Sequence, residues 1–280
     1  MVPIGEPAQP ERAGGDEGTA AELARIAAEV ESQENGEELG LGRVRRTGAL
    51  ARRLGDSLGR GGRRLGAGSR VGLKTLTERL MEAAPRIPVR DLATLRAQHP
   101  GARTPEELAE LITAGSVKAS TAVGASAGAV AMMPVPLAMP VELASELLAS
   151  AAIEVKLIAE LYAVHGQVPP GSARQRSYAY LAAWSEGRGL DLTRPGALLA
   201  LNRSAALRRQ VGKRLTRSGV RRLPTLAPLL AGAVIGARIN RADTLRLATT
   251  VRRDLRERGP ADPGYWDAAA PGPKPGGSGD

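Results

Sequence analysis

The chain contains no cysteine and no phenylalanine, and aromatic residues make up only 2% of its 280 positions. Without cysteine it cannot form disulfides, Fe–S clusters or thiolate-based structural zinc sites. Without phenylalanine, a core must be built from Leu, Val, Ile, Met and Ala, which suits closely packed helices better than a β-sandwich. Sustained alternating runs of Val, Ile and Thr, the signal of strands, are also missing. The sequence therefore predicts an all-α fold.

A secretory signal is missing as well. Residues Met1 to Gly18 are acidic and rich in Pro and Gly, with neither a basic segment nor an apolar one. From this composition we expect a cytoplasmic location.

Metal-binding and catalytic patterns are scarce. His99 lies in a turn before a proline and His165 closes a helix, so we expect capping or surface roles for both. The carboxylates of the central helical segment lack the Glu-x-x-His partner of a di-iron bundle: Glu142, Glu146, Glu154 and Glu160. No Walker A sequence occurs. We therefore expect no metal, no cofactor and no enzymatic activity.

One nucleophile-like motif does occur, at Gly124-Ala125-Ser126-Ala127-Gly128. It has the form G-x-S-x-G, which in hydrolases follows a strand, precedes a helix and needs a downstream acid and histidine. Here the motif lies in an Ala/Gly-rich helical segment. We interpret it as a chance match, and a lipid-acting hydrolase that uses Ser126 is only the third hypothesis.

Charge is distributed in blocks along the chain, whose net charge is +10. Residues 1–40 carry ten acids and two bases, whereas residues 41–90 carry thirteen bases and three acids. Residues 171–258 carry nineteen bases and five acids. The densest basic segment contains eight cations: Arg203, Arg208, Arg209, Lys213, Arg214, Arg217, Arg221 and Arg222. Such a balance favours an anionic partner, either lipid head groups or nucleic acid.

Composition divides the chain into four segments. Residues 1–40 are expected to form a mostly disordered, solvated acidic tail with one short amphipathic helix, marked by Leu23, Ile26, Ala27 and Val30. Residues 41–70 are an Arg/Gly-rich basic segment, which is either a helix that forms on an anionic membrane or a flexible linker. Residues 71–258 should form one helical domain, and residues 259–280 a Pro/Gly-rich disordered tail.

Two apolar stretches organise the helical domain. Ala119 to Val141 comprises 23 uncharged residues with three prolines at its end, and Leu223 to Ala237 is shorter. Insertion of the first stretch into a bilayer is close to break-even, because Ala, Gly, Ser and Pro offset its Val, Leu and Met. Each stretch contains a G-x-x-x-G pair, which lets helices approach closely: Gly124 and Gly128, Gly232 and Gly236. We expect two apolar helical hairpins packed together, which are either embedded in a membrane surface or buried in a soluble core rather than forming a simple span.

Helix signals in the domain are local and clear. Thr104-Pro105-Glu106-Glu107 predicts a helix start, with a cap, a proline at the first position and acids in the first turn. Further helices are expected at 89–98, 141–164, 172–187 and 195–218, and a final amphipathic helix from Asp243 to Arg256.

The order of these segments resembles the EcsC family over residues 71–258. The resemblance lies in Ile112 to Ser120 before the apolar stretch, the Pro134–Pro140 segment that opens a helix, and its Ile158-Ala159…His165-Gly166 ending. The last matching segment runs from Leu223-Pro224 to Gly232…Asn240. The family is named after a protein encoded beside an ABC transporter. The resemblance implies a helical, membrane-associated bacterial protein, and it supplies no catalytic residues.

The leading hypothesis is a non-enzymatic protein attached peripherally to the cytoplasmic face of a membrane. Its basic segments, Arg203 to Arg222 and also Arg43 to Arg70, would bind anionic lipid, and a membrane protein such as a transporter is a further candidate partner. The alternative is a soluble basic module that binds nucleic acid or an acidic protein. Nucleic acid is less favoured, because the basic segments lack interleaved aromatic residues.

Overall fold

The computed structural model describes residues 21–28, 78–130, 139–189 and 227–269. All regular elements in these ranges are helical and none is a strand, which confirms the all-α fold. Two short helical segments come first, at residues 21–28 and 78–83, and the second continues into a 3-10 turn at Ala84–Arg86. Six further helices follow. These are α1 (Leu92–Gln98), α2 (Pro105–Val130), α3 (Met139–Val164), α4 (Ala173–Gly187), α5 (Ala227–Arg258) and α6 (Tyr265–Ala268).

The helices begin where side chains can satisfy free backbone amides. Asp91 accepts from the amide of Thr94 at the start of α1 (2.8 Å), and Thr104 accepts from the amide of Glu107 at the start of α2 (3.2 Å). Ser172 and Gln175 form a reciprocal capping box at the start of α4. Each cap supplies an acceptor for an amide that has no partner within its own helix. The expected start of α2 is confirmed.

The long helices α2, α3 and α5 form the body of the fold. Within the described residues, α2 and α5 share the most extensive contact, and α2 and α3 the next. The described part of the second apolar stretch, from Ala227 onward, and the expected Asp243–Arg256 helix are one continuous element, α5, rather than two. Residues 238–242, which separate the two expected elements, contain neither glycine nor proline, so nothing ends the helix there.

The buried core extends beyond the expected domain boundaries. Leu23, Ile26 and Ala27 are fully buried in the same apolar cluster as residues of α2, α3 and α5. The short helix expected near the N-terminus is therefore present, but its apolar side is packed and not solvated. Removal of three apolar side chains from water favours this docking over a free helix.

The prediction of a disordered tail from residue 259 is corrected for residues 259–269. Gly259 takes a positive φ of 68° and ends α5, and α6 then returns the chain to the body. The hydroxyl of Tyr265 donates to the carbonyl of Val164 (3.0 Å), and the Arg96 guanidinium stacks over the Trp266 ring at 4.4 Å. These two aromatic side chains make contacts that the Pro/Gly-rich composition did not predict.

The described ranges exclude residues 1–20, 29–77, 190–226 and 270–280, so the expectations for those residues lie outside the described part of the chain.

Candidate functional site

The contact between α2 and α5 is made backbone to backbone at four glycines. A Cβ at position 124 would lie 2.8 Å from the carbonyl carbon of Gly236, and one at position 128 would lie 2.7 Å from that of Gly232. The structure thus brings together Gly124 with Gly236 and Gly128 with Gly232, in an antiparallel arrangement. Because neither partner has a side chain, the two helices approach more closely than side chains would allow.

A buried polar network lies beside this glycine contact and involves α2, α3 and α5. The Asn240 amide donates to the carbonyl of Ser120 (3.2 Å) and to the hydroxyl of Ser150 (3.1 Å). The hydroxyl of Thr244 lies 3.0 Å from Glu154 Oε1 and 2.8 Å from the hydroxyl of Ser120. Since Thr244 gives its single proton to the carboxylate, the Ser120 hydroxyl donates to Thr244. The network fixes the relative positions of the three helices.

Glu154 is the centre of this network, although it is almost fully buried. It accepts from the Trp184 indole (2.8 Å) and from Arg188 Nε (3.1 Å), and a second Arg188 nitrogen bonds its other oxygen. Burial lowers the pKa of Arg188, but the charges of Glu154 and Asp243 outweigh it and raise the pKa above its ordinary value. A buried carboxylate that accepts this number of hydrogen bonds holds its neighbours in place.

A second buried ion cluster joins the chain before α1 to α3. Glu160 is fully buried and receives two bonds from the Arg90 guanidinium, both 2.8 Å. Lys156, also fully buried, lies 2.7 Å from Glu160 Oε1 and donates to the carbonyl of Pro88 (2.7 Å). The Glu160 carboxylate thus pairs with two buried cations, and the cluster holds α3 against the segment that precedes α1.

A third polar cluster lies at the opposite end of α2 from the glycines. His165 donates through Nδ1 to the carbonyl of Leu161 (2.8 Å), and its Nε2 lies 3.5 Å from Glu106. The expected capping role of His165 agrees with this bond, but the side chain is buried rather than on the surface. Glu106 also accepts from Arg252 (2.8 Å). Burial raises the pKa of Glu106, but the hydrogen bond and charge of Arg252 outweigh it and place the pKa below its ordinary value.

Ser126 lies inside α2, in helical backbone, and its hydroxyl bonds the carbonyl of Ala122 (2.9 Å). A nucleophile elbow needs a sharp turn between a strand and a helix, so this geometry does not suit a nucleophile. Glu154 and Glu160, which are engaged in ion pairs, were the functional residues that sequence reasoning left without a role. The sequence signal was the presence of four acids, Glu142, Glu146, Glu154 and Glu160, on a largely apolar helix.

The expected anionic-surface residues, Arg203 to Arg222, lie outside the described part of the chain. Within the ranges that the structure describes, no group of acids and histidines could hold a metal ion. No described helix is both long enough and apolar enough to cross a membrane.

Antiparallel packing brings together two helix halves that carry no acid. α2 has no Asp or Glu from Leu111 to Val130, and α5 has none from Ala227 to Ala242. The charged residues of these halves are all cations with exposed side chains: Lys118, Arg238 and Arg241. None of the three makes a hydrogen bond or ion pair with another described residue. Among the described residues, the exposed charges of these two helix halves are thus all positive, and we call the halves the acid-free end of the α2–α5 pair.

Comparison with known proteins gives no match: no family model, no curated protein and no solved structure matches this chain. The resemblance to the EcsC family therefore stays a prediction from the sequence.

Proposed function

We propose that the chain is a non-enzymatic, EcsC-like helical protein that attaches peripherally to an anionic membrane surface. The observation that carries this proposal is the acid-free, cation-bearing end of the α2–α5 pair. Surface cations near an anionic bilayer each gain on the order of 1 kcal/mol, provided that no neighbouring acid neutralises them. Lys118, Arg238 and Arg241 meet that condition.

The position of the basic segment in the chain supports the same proposal. Arg222 precedes the first residue of α5, Ala227, by five positions. At about 3.5 Å for each residue, the cations nearest to α5 stay within roughly 20 Å of its N-terminal half. The nearest of the eight cations, Arg221 and Arg222, would therefore add to the acid-free end rather than to the mixed-charge end around Glu106. A transporter or other membrane protein at that surface would be a further partner.

Vesicle co-sedimentation tests the proposal. The full chain is mixed with phosphatidylcholine vesicles, with and without phosphatidylglycerol, and compared with two charge-matched variants. Arg208→Gln/Arg209→Gln removes two cations of the basic segment, and Arg174→Gln/Arg253→Gln removes two exposed cations elsewhere. We expect binding only with phosphatidylglycerol, and weaker binding for the first variant alone.

Nucleic acid is the alternative anionic partner, and the same preparations distinguish it. Salt-sensitive gel shifts with RNA or DNA, together with no vesicle binding at low salt, would favour the nucleic-acid module and contradict the membrane proposal. An esterase activity abolished by Ser126→Ala would contradict the non-enzymatic part.

A further inference from the structure

The outer face of α5 combines cations with exposed apolar side chains. Val234 is 51% exposed and Leu245 is 37% exposed, although both are large apolar residues. Arg238 and Arg241 lie between them and are also exposed. At 3.6 residues per turn, the spacing 234, 238, 241 and 245 places all four on one face. We call these four residues the α5 stripe.

The α5 stripe is turned away from the glycine contact. Val234 lies two positions after Gly232 and two before Gly236, so it projects from the opposite side of the helix. The first acid of α5, Asp243, lies off the stripe and is paired with Arg188 at 3.6 Å and with Arg246 at 3.6 Å. The stripe therefore has no negative charge and measures about 16 Å along the helix, at 1.5 Å for each residue.

A face of this composition fits the boundary between lipid head groups and acyl chains. Arginine places its charged group among phosphates while apolar side chains enter the outer edge of the acyl region, as in helices that lie in a membrane surface. Two apolar side chains provide only a small buried area, so attachment through them would be reversible and would need the cations. A neutral peptide groove would leave Arg238 and Arg241 without partners, whereas phosphates supply acceptors for both.

We propose that the α5 stripe is a membrane contact site, in which α5 lies parallel to an anionic bilayer with Val234 and Leu245 entering the interface. This inference rests on the proposed function and adds to it a contact surface separate from the Arg203–Arg222 segment. The occupant is the bilayer itself. The partners of Arg238 and Arg241 are lipid phosphates.

The absence of cysteine from the chain allows a direct test with a single label. Val234→Cys is coupled to an environment-sensitive fluorophore, and Ala182→Cys, at an exposed position of α4, serves as the control. Both proteins are titrated with phosphatidylcholine vesicles that contain phosphatidylglycerol. We expect the emission of the Val234 label to shift to shorter wavelength on binding and that of the Ala182 label to stay unchanged.

A charge variant gives an independent measurement. Arg238→Gln/Arg241→Gln should weaken vesicle binding roughly 30-fold, as two cations near an anionic surface imply. The charge-matched Arg174→Gln/Arg253→Gln should change it little. Circular dichroism compares the folding of the variants. If Arg238→Gln/Arg241→Gln fails to fold, the two labelled proteins, which keep both arginines, decide the question.

The outcomes separate the two proposals. If the wild type binds vesicles but the Val234 label does not respond and the arginine variant binds normally, the α5 stripe is overturned. Membrane attachment then stands, but other cations, Lys118 or those of the Arg203–Arg222 segment, must make it. Equal weakening by both charge variants also overturns the stripe, because it shows a diffuse charge effect. If the wild type binds no anionic vesicle, the proposed function fails and the α5 stripe fails with it.

Discussion

Gly124 and Gly236 each hold a carbonyl group in the place where the other would carry a side chain. A Cβ at position 124 would lie 2.8 Å from the carbonyl carbon of Gly236, and a Cβ at position 236 would lie 2.8 Å from that of Gly124. The contact is reciprocal and involves rigid backbone on both sides. The acid-free halves of α2 and α5 are therefore joined by a contact that tolerates no side chain.

Replacing Gly124 or Gly236 by alanine should destabilise the protein. Alanine favours a helix by about 1 kcal/mol over glycine, but here its methyl group would collide with a carbonyl that cannot rotate away. We expect a net loss of about 2 kcal/mol, as for an overpacked core, in urea unfolding. Gly101→Ala is the control, because nothing lies within 4 Å of a Cβ at that position. A stabilised Gly124→Ala variant would contradict the close contact.

The Thr244 hydroxyl connects Ser120 to Glu154, and its removal should be costly. Thr244→Val keeps the shape of the side chain but leaves two buried polar groups without this partner, so we expect a loss of about 1–3 kcal/mol in unfolding free energy. Thr244→Ser keeps the hydroxyl and should lose clearly less. Equal stability of the valine variant and the wild type would mean that the network does not hold the helices.

Neutralising Glu160 should be among the most destabilising single changes. Glu160→Gln removes the carboxylate that pairs with the buried Arg90 and Lys156, and removal of one member of a buried ion pair costs about 3–5 kcal/mol. Glu186→Gln, an exposed acid on α4, should change stability by less than about 0.5 kcal/mol. The triple change Arg90→Met/Lys156→Met/Glu160→Leu should recover most of the loss. Thermal or urea unfolding would contradict this account if Glu160→Gln behaved like Glu186→Gln.

The Glu106 cluster predicts a defined pH dependence. The pKa of Glu106 lies below its ordinary value of 4.5, so the carboxylate contributes stability that is fully present above the unfolded pKa. That contribution is lost as the pH falls through the lower, folded pKa. The stability difference between wild type and Glu106→Gln should therefore be constant near neutral pH and shrink in acid. Urea unfolding over a pH series measures it, and a difference that grows in acid would have the wrong sign.

Local signals in the sequence were sufficient to predict the start of α2 and the close-packing glycine pairs. They were not sufficient to predict which helix surfaces contact each other. The Thr104-Pro105 start and the two G-x-x-x-G pairs can be identified without a structure, because capping and close approach depend on neighbouring residues. The pairing of Gly124 with Gly236, rather than with Gly232, depends on the register of two helices more than a hundred residues apart. The periodicity of the sequence does not indicate how the two helices are aligned with each other.

The buried charges and the C-terminal contact show where composition misleads. Glu154 and Glu160 lie on a helix that is buried on nearly every side, so the sequence shows no polar face by which a buried acid could be distinguished from an exposed one. Their partners, Arg188 and Arg90, are distant in sequence. Tyr265 and Trp266 are surrounded by Pro and Gly, which predicted disorder. The available signal was the presence of two adjacent aromatic residues in a chain that has very few.

Binding of the full chain to phosphatidylcholine vesicles with increasing phosphatidylglycerol, repeated at low and high salt, tests the membrane account most directly. The account predicts affinity that rises with the anionic fraction and falls as salt screens the cations. Absence of binding to anionic vesicles at low salt would contradict it.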